Sequence, residues 1–329
     1  MAKILQENKM KLVIERNETN KNSKGGTELM AEGLEKYVDK ELLSKFQIIP
    51  SRVREINPDK IPILWLHDLP WDPESAKLKD PEYRKQFKKI VFVSHWQQQM
   101  YHTVLGVPYS EGVVIKNAIT PIESSLIDKS ELDASDIRHG KIRLIYHPTP
   151  HRGLEILVPV FKEMLKYHPD IHLDVYSSFK LYGWAERDKP YQALFEEIKE
   201  NPNMTYHGSV SQEELRAAVG RAHIFAYPSI WQETSCLCAL EAMSAQCLTV
   251  TSSLAALPET CANYALMYNY TEDVNEHANT FFKVLFHAID VSKKQTAVNY
   301  LRAQKEYFDR NYDWNLRKDE WTFLLNSLL

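Results

Sequence analysis

The chain has 329 residues, enough for two domains of ordinary size, and its 44% hydrophobic and 26% charged residues exclude a disordered chain. A net charge of −4 without a long basic run argues against a protein that holds nucleic acid by charge alone. No apolar stretch reaches the length of a membrane span, Met1–Lys11 is polar and unlike a signal peptide, and Cys236, Cys238, Cys247 and Cys261 lack paired ligand spacing and matching histidines. They read as reduced, packed thiols of a cytoplasmic protein rather than a zinc site.

In chain order, Lys11–Ile14 reads as a first strand and Asn17–Lys24 as a polar loop ending in Gly25-Gly26-Thr27. Glu28–Val38 follows as an amphipathic helix with Leu29, Leu34 and Tyr37 inward. Glycines between a strand and a helix let backbone approach a ligand, although Gly-Gly-Thr alone is no more than a turn. Phe46–Pro50 and Ile61–Leu66 are strands, and His67 and Asp68 lie just past the second, where open α/β sheets bind ligands. Asp80–Lys89 reads as a short helix bearing Arg84, Lys85, Lys88 and Lys89. A solvated face is the ordinary meaning, and weak contact with an anionic acceptor or membrane surface is the competing one. Ile90–Ser94 is a strand, a helix begins at His95, and Gly112–Ile115 is a strand running into Asn117-Ala118-Ile119.

Thr120–Gly140 is polar and rich in Asp and Ser, as an interdomain connection would be. The strand–loop–helix plan then repeats: Ile142–Tyr146, the loop His147–Gly153, and the helix Leu154–Tyr167. Arg152 at the helix mouth could pair with two phosphate oxygens, against the plain reading of an exposed Arg beside a turn glycine. Ile171–Ser177 is a strand, Lys180–Lys189 an aromatic, charged insertion, and Met204–His207 a strand. Gly208–Val210 is a turn before a helix capped by Ser211.

His223–Thr260 then forms strand, loop, helix and strand. His223–Tyr227 is an apolar run closed by Pro228, Thr234 or Ser235 can cap the helix carrying Leu237, Leu240, Ala242 and Met243, and Leu248–Thr251 is the second strand. Free N–H groups of Ser235, Cys236 and Leu237 would suit a diphosphate. Glu233 lies before the helix and Glu241 two turns into it, where a carboxylate could accept both hydroxyls of a ribose. Either Glu alone reads as a surface or ion-paired residue. Two helices follow, Val274–Ile289 and Val298–Phe308, and Tyr312–Leu329 carries Trp314, Trp321, Phe323 and Leu325.

The block Pro228, Ser229, Glu233, Glu241, Ala242, Met243, Ala245, Val250, Ser252 and Glu259 resembles the Glu-x7-Glu signature of family 4 (group 1) retaining glycosyltransferases of the GT-B fold. That resemblance implies an α/β protein of two Rossmann-like domains facing across a cleft. Residues 1–120 would form the acceptor side, 121–140 a linker, 141–308 the nucleotide-sugar domain, and 309–329 a helix crossing back, with Trp314, Trp321 and Phe323 packing there. It implies that Gly25 and Gly26 face the donor phosphates, that His67 and Glu233 position the transferred sugar, and that Val210 lies against the base. Thr234, Ser235, Cys236, Leu237 and Arg152 would hold the diphosphate and Glu241 the ribose. Arg152 takes the position of the family's Lys. The family's upstream Arg falls near Tyr146 or His147, so one cation is missing, and Ala118 replaces a usual Gly. The implied reaction moves a hexose or pentose from a nucleotide-sugar donor to an unidentified hydroxyl, with retention and no cofactor. No metal is obligatory, since no Asp-x-Asp motif is present. A GT-B-like phosphorylase or epimerase, or a decayed nucleotide-sugar-binding protein, are the alternatives. A dehydrogenase is disfavoured because no Gly-x-Gly-x-x-Gly follows the first strand.

Overall fold

A computed structural model describes residues 25–128 and 142–329. The expected strand Lys11–Ile14, the loop Asn17–Lys24 and most of the 121–140 connection lie outside the described residues.

Among the described residues the first half has helix α1 (Gly26–Tyr37), followed by strands β1 (Phe46–Pro50), β2 (Ile61–Leu66), β3 (Lys89–Phe92) and β4 (Gly112–Val114), with helix α2 (His95–Leu105) between β3 and β4. The four strands form one parallel sheet in chain order. Parallel pairing buries both faces, which is why β2 and β3 read as nearly continuous apolar runs. Ser94 caps α2 by accepting from the Gln97 N–H.

The second half contains β5 (Ile142–Tyr146), α3 (Leu154–Met164), β6 (Ile171–Val175), α4 (Gln192–Glu200), β7 (Met204–Tyr206), α5 (Gln212–Arg221), β8 (Ile224–Tyr227), α6 (Leu237–Ser244), β9 (Leu248–Ser252) and β10 (Leu266–Tyr268). Its sheet is parallel in the order β10-β9-β8-β5-β6-β7. Strand order reverses between β5 and β8. The loops after these two strands lie side by side at the point of reversal, the usual binding place of such sheets. Ser211 caps α5 as expected. Helices α7 (Val274–Ser292), α8 (Gln295–Asn311) and α9 (Trp314–Leu328) complete the chain.

Helix α9 returns to the first sheet. Trp314, Trp321 and Leu325 are buried with Met30, Leu34 and Trp65. Gly33 is what permits the crossing, since a Cβ there would overlap the Trp314 ring. This moves the inward face of α1: Met30, Gly33 and Leu34 are buried, whereas Leu29 and Tyr37 are only partly so. Tyr37 stacks on Trp314 with centroids 5.6 Å apart. Phe323, expected to pack, is 78% exposed because it points away from the sheet that Trp321 faces.

The expected basic helix also resolves differently. Helical turns cover only Pro81–Arg84, and Lys89 belongs to β3. Arg84 is buried, its Nε 2.7 Å from Glu111 Oε2, and Lys89 Nζ donates to the Ser110 carbonyl at 2.8 Å. Only Lys85 and Lys88 of the four are exposed, so no shared basic face forms. Among the described residues no helix is long and apolar enough to cross a membrane.

Candidate functional site

Two loop clusters meet where the C-terminal ends of the sheets converge. From the first half comes His67, directly after β2. Its backbone N–H donates to Ser51 Oγ at 2.8 Å and its ring lies 4.6 Å from that of Trp65. Burial drives its basicity down to about 3, so the ring is neutral, and Nε2 has no hydrogen-bond partner.

From the second half come the loops after β5 and β8. Gly153 has φ 138°, and a Cβ there would overlap the Pro228 carbonyl, so glycine is what lets the two loops touch. That contact brings Arg152 to Glu233, with Nη1 2.6 Å from Oε1. The plain reading of Arg152 as an exposed side chain does not hold. The Tyr227 hydroxyl donates to the same Glu233 oxygen at 2.6 Å, and the Glu233 residue is 5% exposed. The guanidinium lies 5.8 Å from the Trp231 ring centroid, while its Nε is buried without a partner.

The cap expected from Thr234 or Ser235 does not form. Helix α6 begins at Leu237 with Cys236 as N-cap and no side-chain cap. Its first N–H groups thus have no side-chain partner from the cap position, which leaves the positive helix end uncapped. Thr234 instead donates its hydroxyl to the His67 carbonyl at 2.8 Å, joining the two halves. Leu237 packs against both cores, and a Cβ on Gly26 would sit 3.3 Å from its Cδ1. At Gly25 the space a Cβ would fill is taken by Tyr182, from the aromatic insertion.

Glu241 is half-buried in the second turn of α6. Desolvation raises its carboxyl to about 7, with the charges of His147 and Arg216 pulling it down and Cys238 pushing it up. Val210 lies farther along the same edge, just before the Ser211 cap, after Gly208 at φ 68°.

Sequence reasoning missed several members of this cluster. Tyr227 ends a strand that reads as pure core, yet it orients Glu233. His147 is 6% exposed with both ring nitrogens lacking a directed hydrogen bond, and Thr149 Oγ1 and His151 Nδ1 are likewise buried and unpartnered. Glu259 was legible as a motif position without a role. Its carboxylate accepts the His95 and Trp96 N–H groups at 3.1 and 3.0 Å and lies 3.4 Å from Lys116 Nζ, so it caps α2 from the opposite half. A groove lined by Leu34, Leu43, Phe46, Ile48 and Trp65 lies beside β1.

Two parallel α/β sheets that meet at their C-terminal ends and a terminal helix crossing back place the chain in the GT-B class of glycosyltransferase folds. Within that class, residues 143–285 match the family model described as Glycosyl transferases group 1. Solved structures similar to this chain include a glycosyltransferase from Rickettsia africae, at TM-score 0.61 and 16% identity over 99% of this chain and 87% of that one. HepE from Anabaena in complex with UDP-glucose gives 0.58 and 13% over 82% and 72%. Sucrose-phosphate synthase from Thermosynechococcus elongatus gives 0.59 and 15% over 92% and 78%. At these identities the likeness is one of fold. No curated protein sequence matches the chain.

Proposed function

We propose that this protein is a retaining glycosyltransferase that moves a sugar from a nucleoside diphosphate to an acceptor hydroxyl. One observation carries the reading. Buried polar atoms are nearly always partnered, and each orphan costs about 1–3 kcal/mol. Here His67 Nε2, both His147 nitrogens, Thr149 Oγ1 and Arg152 Nε are all orphaned, and all lie in the loops at the carboxyl ends of β2 and β5. A ligand rich in oxygen atoms would satisfy them together.

In this reading the diphosphate rests on the α6 N-terminus, with Ser235, Cys236 and Leu237 offering N–H groups and Thr234 holding the loop. Arg152 keeps one arm on Glu233 and turns the rest of its fork to phosphate. Gly25 and Gly26 close over the phosphates, Val210 lines the base and Glu241 accepts the ribose hydroxyls. Glu233, fixed by Arg152 and Tyr227, and neutral His67 position the sugar. The bond from anomeric carbon to phosphate oxygen breaks as the bond to the acceptor oxygen forms, and the acceptor proton leaves with the departing diphosphate or to solvent. Arg152 and the helix end stabilise the charge growing on the leaving group. The complex of HepE with UDP-glucose makes uridine diphosphate sugars the first donors to test. The four free cysteines support a cytoplasmic setting.

The test is a thermal-shift screen of nucleoside diphosphates and their sugars, followed by assay of donor turnover. A raised midpoint with one nucleotide series and release of its diphosphate is the expected result. No shift with any nucleotide would overturn the reading.

A further inference from the structure

The loop after β2 carries more than His67. It runs His67-Asp68-Leu69-Pro70-Trp71-Asp72, and α2 pins its start: Gln97 Nε2 and the Tyr101 hydroxyl donate to the Asp68 carbonyl at 2.8 and 3.1 Å. On this fixed loop Trp71 is 45% exposed. Its ring stands at 82° to that of Trp96, in the first turn of α2, with centroids 6.4 Å apart. A single exposed aromatic is ordinary on a protein surface, so its place in the fold is what matters. His67, on the same loop, accepts from Thr234 of the second half through its carbonyl. Trp96, the neighbour of the Trp71 ring, donates its backbone N–H to Glu259 of the second half. The indole therefore lies at the seam, on the first-half side. Trp231, on the loop before Glu233, is already engaged: the His151 ring lies 4.6 Å from it and the Arg152 guanidinium 5.8 Å.

The charges beside Trp71 select the ligand. Arg52 lies 3.7, 3.2 and 3.9 Å from the carboxylates of Asp68, Asp72 and Glu74, and Arg54 lies 3.2 Å from Glu74. Three carboxylates outnumber two guanidiniums, and both guanidiniums are paired. A phosphate would have to displace one of those pairs and would meet the excess negative charge. Carboxylate oxygens accept and do not donate, so they suit a ligand bearing hydroxyl donors. An indole face is electron-rich and apolar, so it suits a ring of C–H groups. A sugar presents both at once: C–H groups on its faces and hydroxyls around its rim. A lipid chain would need a contiguous apolar surface, which one indole among carboxylates does not supply.

We propose that Trp71, with the Asp68 carboxylate beside it, is the acceptor seat and that the acceptor is an uncharged saccharide. This deepens the function proposed above and rests on it. The acceptor ring lies on the indole, a rim hydroxyl donates to Asp68, and another hydroxyl is turned toward the donor sugar held by His67 and Glu233.

The experiment has two arms, both on the full chain. In the first, saturation-transfer NMR without nucleotide follows binding of maltose, cellobiose, lactose and glucose 6-phosphate. At least one neutral disaccharide should bind and glucose 6-phosphate should not. Trp71→Ala should abolish that binding and Trp71→Phe should keep part of it, with circular dichroism confirming that both variants fold. In the second arm, the same sugars are offered as acceptors with uridine diphosphate glucose. Trp71→Ala should raise the acceptor KM by about tenfold or more, the loss of one aromatic contact, while uridine diphosphate affinity stays within about twofold. No binding of any neutral disaccharide, binding that survives in Trp71→Ala, or a preference for glucose 6-phosphate overturns the proposal. Disaccharide binding that depends on Trp71, in a protein that binds no nucleotide, keeps the saccharide seat and overturns the glycosyltransferase reading instead.

Discussion

Thr234 Oγ1 donates to the His67 carbonyl across the cleft at 2.8 Å. The two residues are 167 positions apart, in loops that follow strands of different sheets, so this bond exists only when the halves are closed. Thr234→Val keeps the shape and removes the donor. It should cost about 1 kcal/mol of stability and lower turnover, with little change in nucleoside diphosphate affinity. Calorimetric unfolding and steady-state kinetics measure both. Unchanged turnover would show that the bond has no part in closure.

Glu259 should act as a second clasp. Glu259→Ala leaves the Ser94 cap of α2 in place but removes the acceptor of the His95 and Trp96 N–H groups and leaves Lys116 without this partner, at a cost of about 1 kcal/mol. Solution scattering should then report a larger radius for the ligand-free protein. An identical scattering curve, with the variant folded, would count against the clasp.

Arg152→Ala leaves the Glu233 carboxylate buried with only Tyr227 beside it. A loss of about 3 kcal/mol in stability is expected, since removing one partner strands a buried charge. Affinity for a nucleoside diphosphate should fall more than affinity for the bare nucleoside, and Arg152→Lys should recover part of it. Equal losses for both ligands, measured by titration calorimetry, would sink the phosphate role.

Glu241 carries a pH signature. Burial lifts its folded-state carboxyl from 4.5 to about 7. Its contribution to stability is therefore fully present below the unfolded value and is lost as pH rises through about 7. Compared with Glu241→Gln, the wild type should lose stability between pH 4.5 and 7. Donor binding should run the other way, because in the proposed function it is the ionised carboxylate that accepts both ribose hydroxyls. Wild-type affinity should climb through neutrality, and Glu241→Gln should stay flat and bind about 1–3 kcal/mol more weakly at high pH. Parallel pH curves for the two proteins would remove Glu241 from the site.

His67 should contribute no limb to the turnover profile, because burial keeps it neutral above about pH 3. His67→Ala should lower turnover strongly while nucleoside diphosphate affinity, which the proposed function assigns to the second half, changes little. Loss of that affinity would contradict the division of labour between the sheets.

The local grammar of the chain was legible residue by residue. Unbroken apolar runs such as Ile61–Leu66 and Ile224–Tyr227 announce strands buried on both faces, and Ser211 announces the start of α5, because backbone preference and capping act within a few positions. The spacing of Glu233 and Glu241 put one on the loop and the other on the helix after β8 for the same reason: the loop and helix are continuous in sequence. What the sequence left open is which distant side chain each polar group meets. Arg152 and Glu233 are 81 residues apart, and Glu259 and His95 are 164, and nothing near either residue in the chain names its partner. Arg84 reads as a solvated cation until Glu111 arrives, and Phe323 reads as core until α9 takes its rotation against Gly33 and Trp65. Such choices depend on the free energy of closing the whole fold, in which desolvation and steric fit are summed over both halves. Only the tertiary structure decides them.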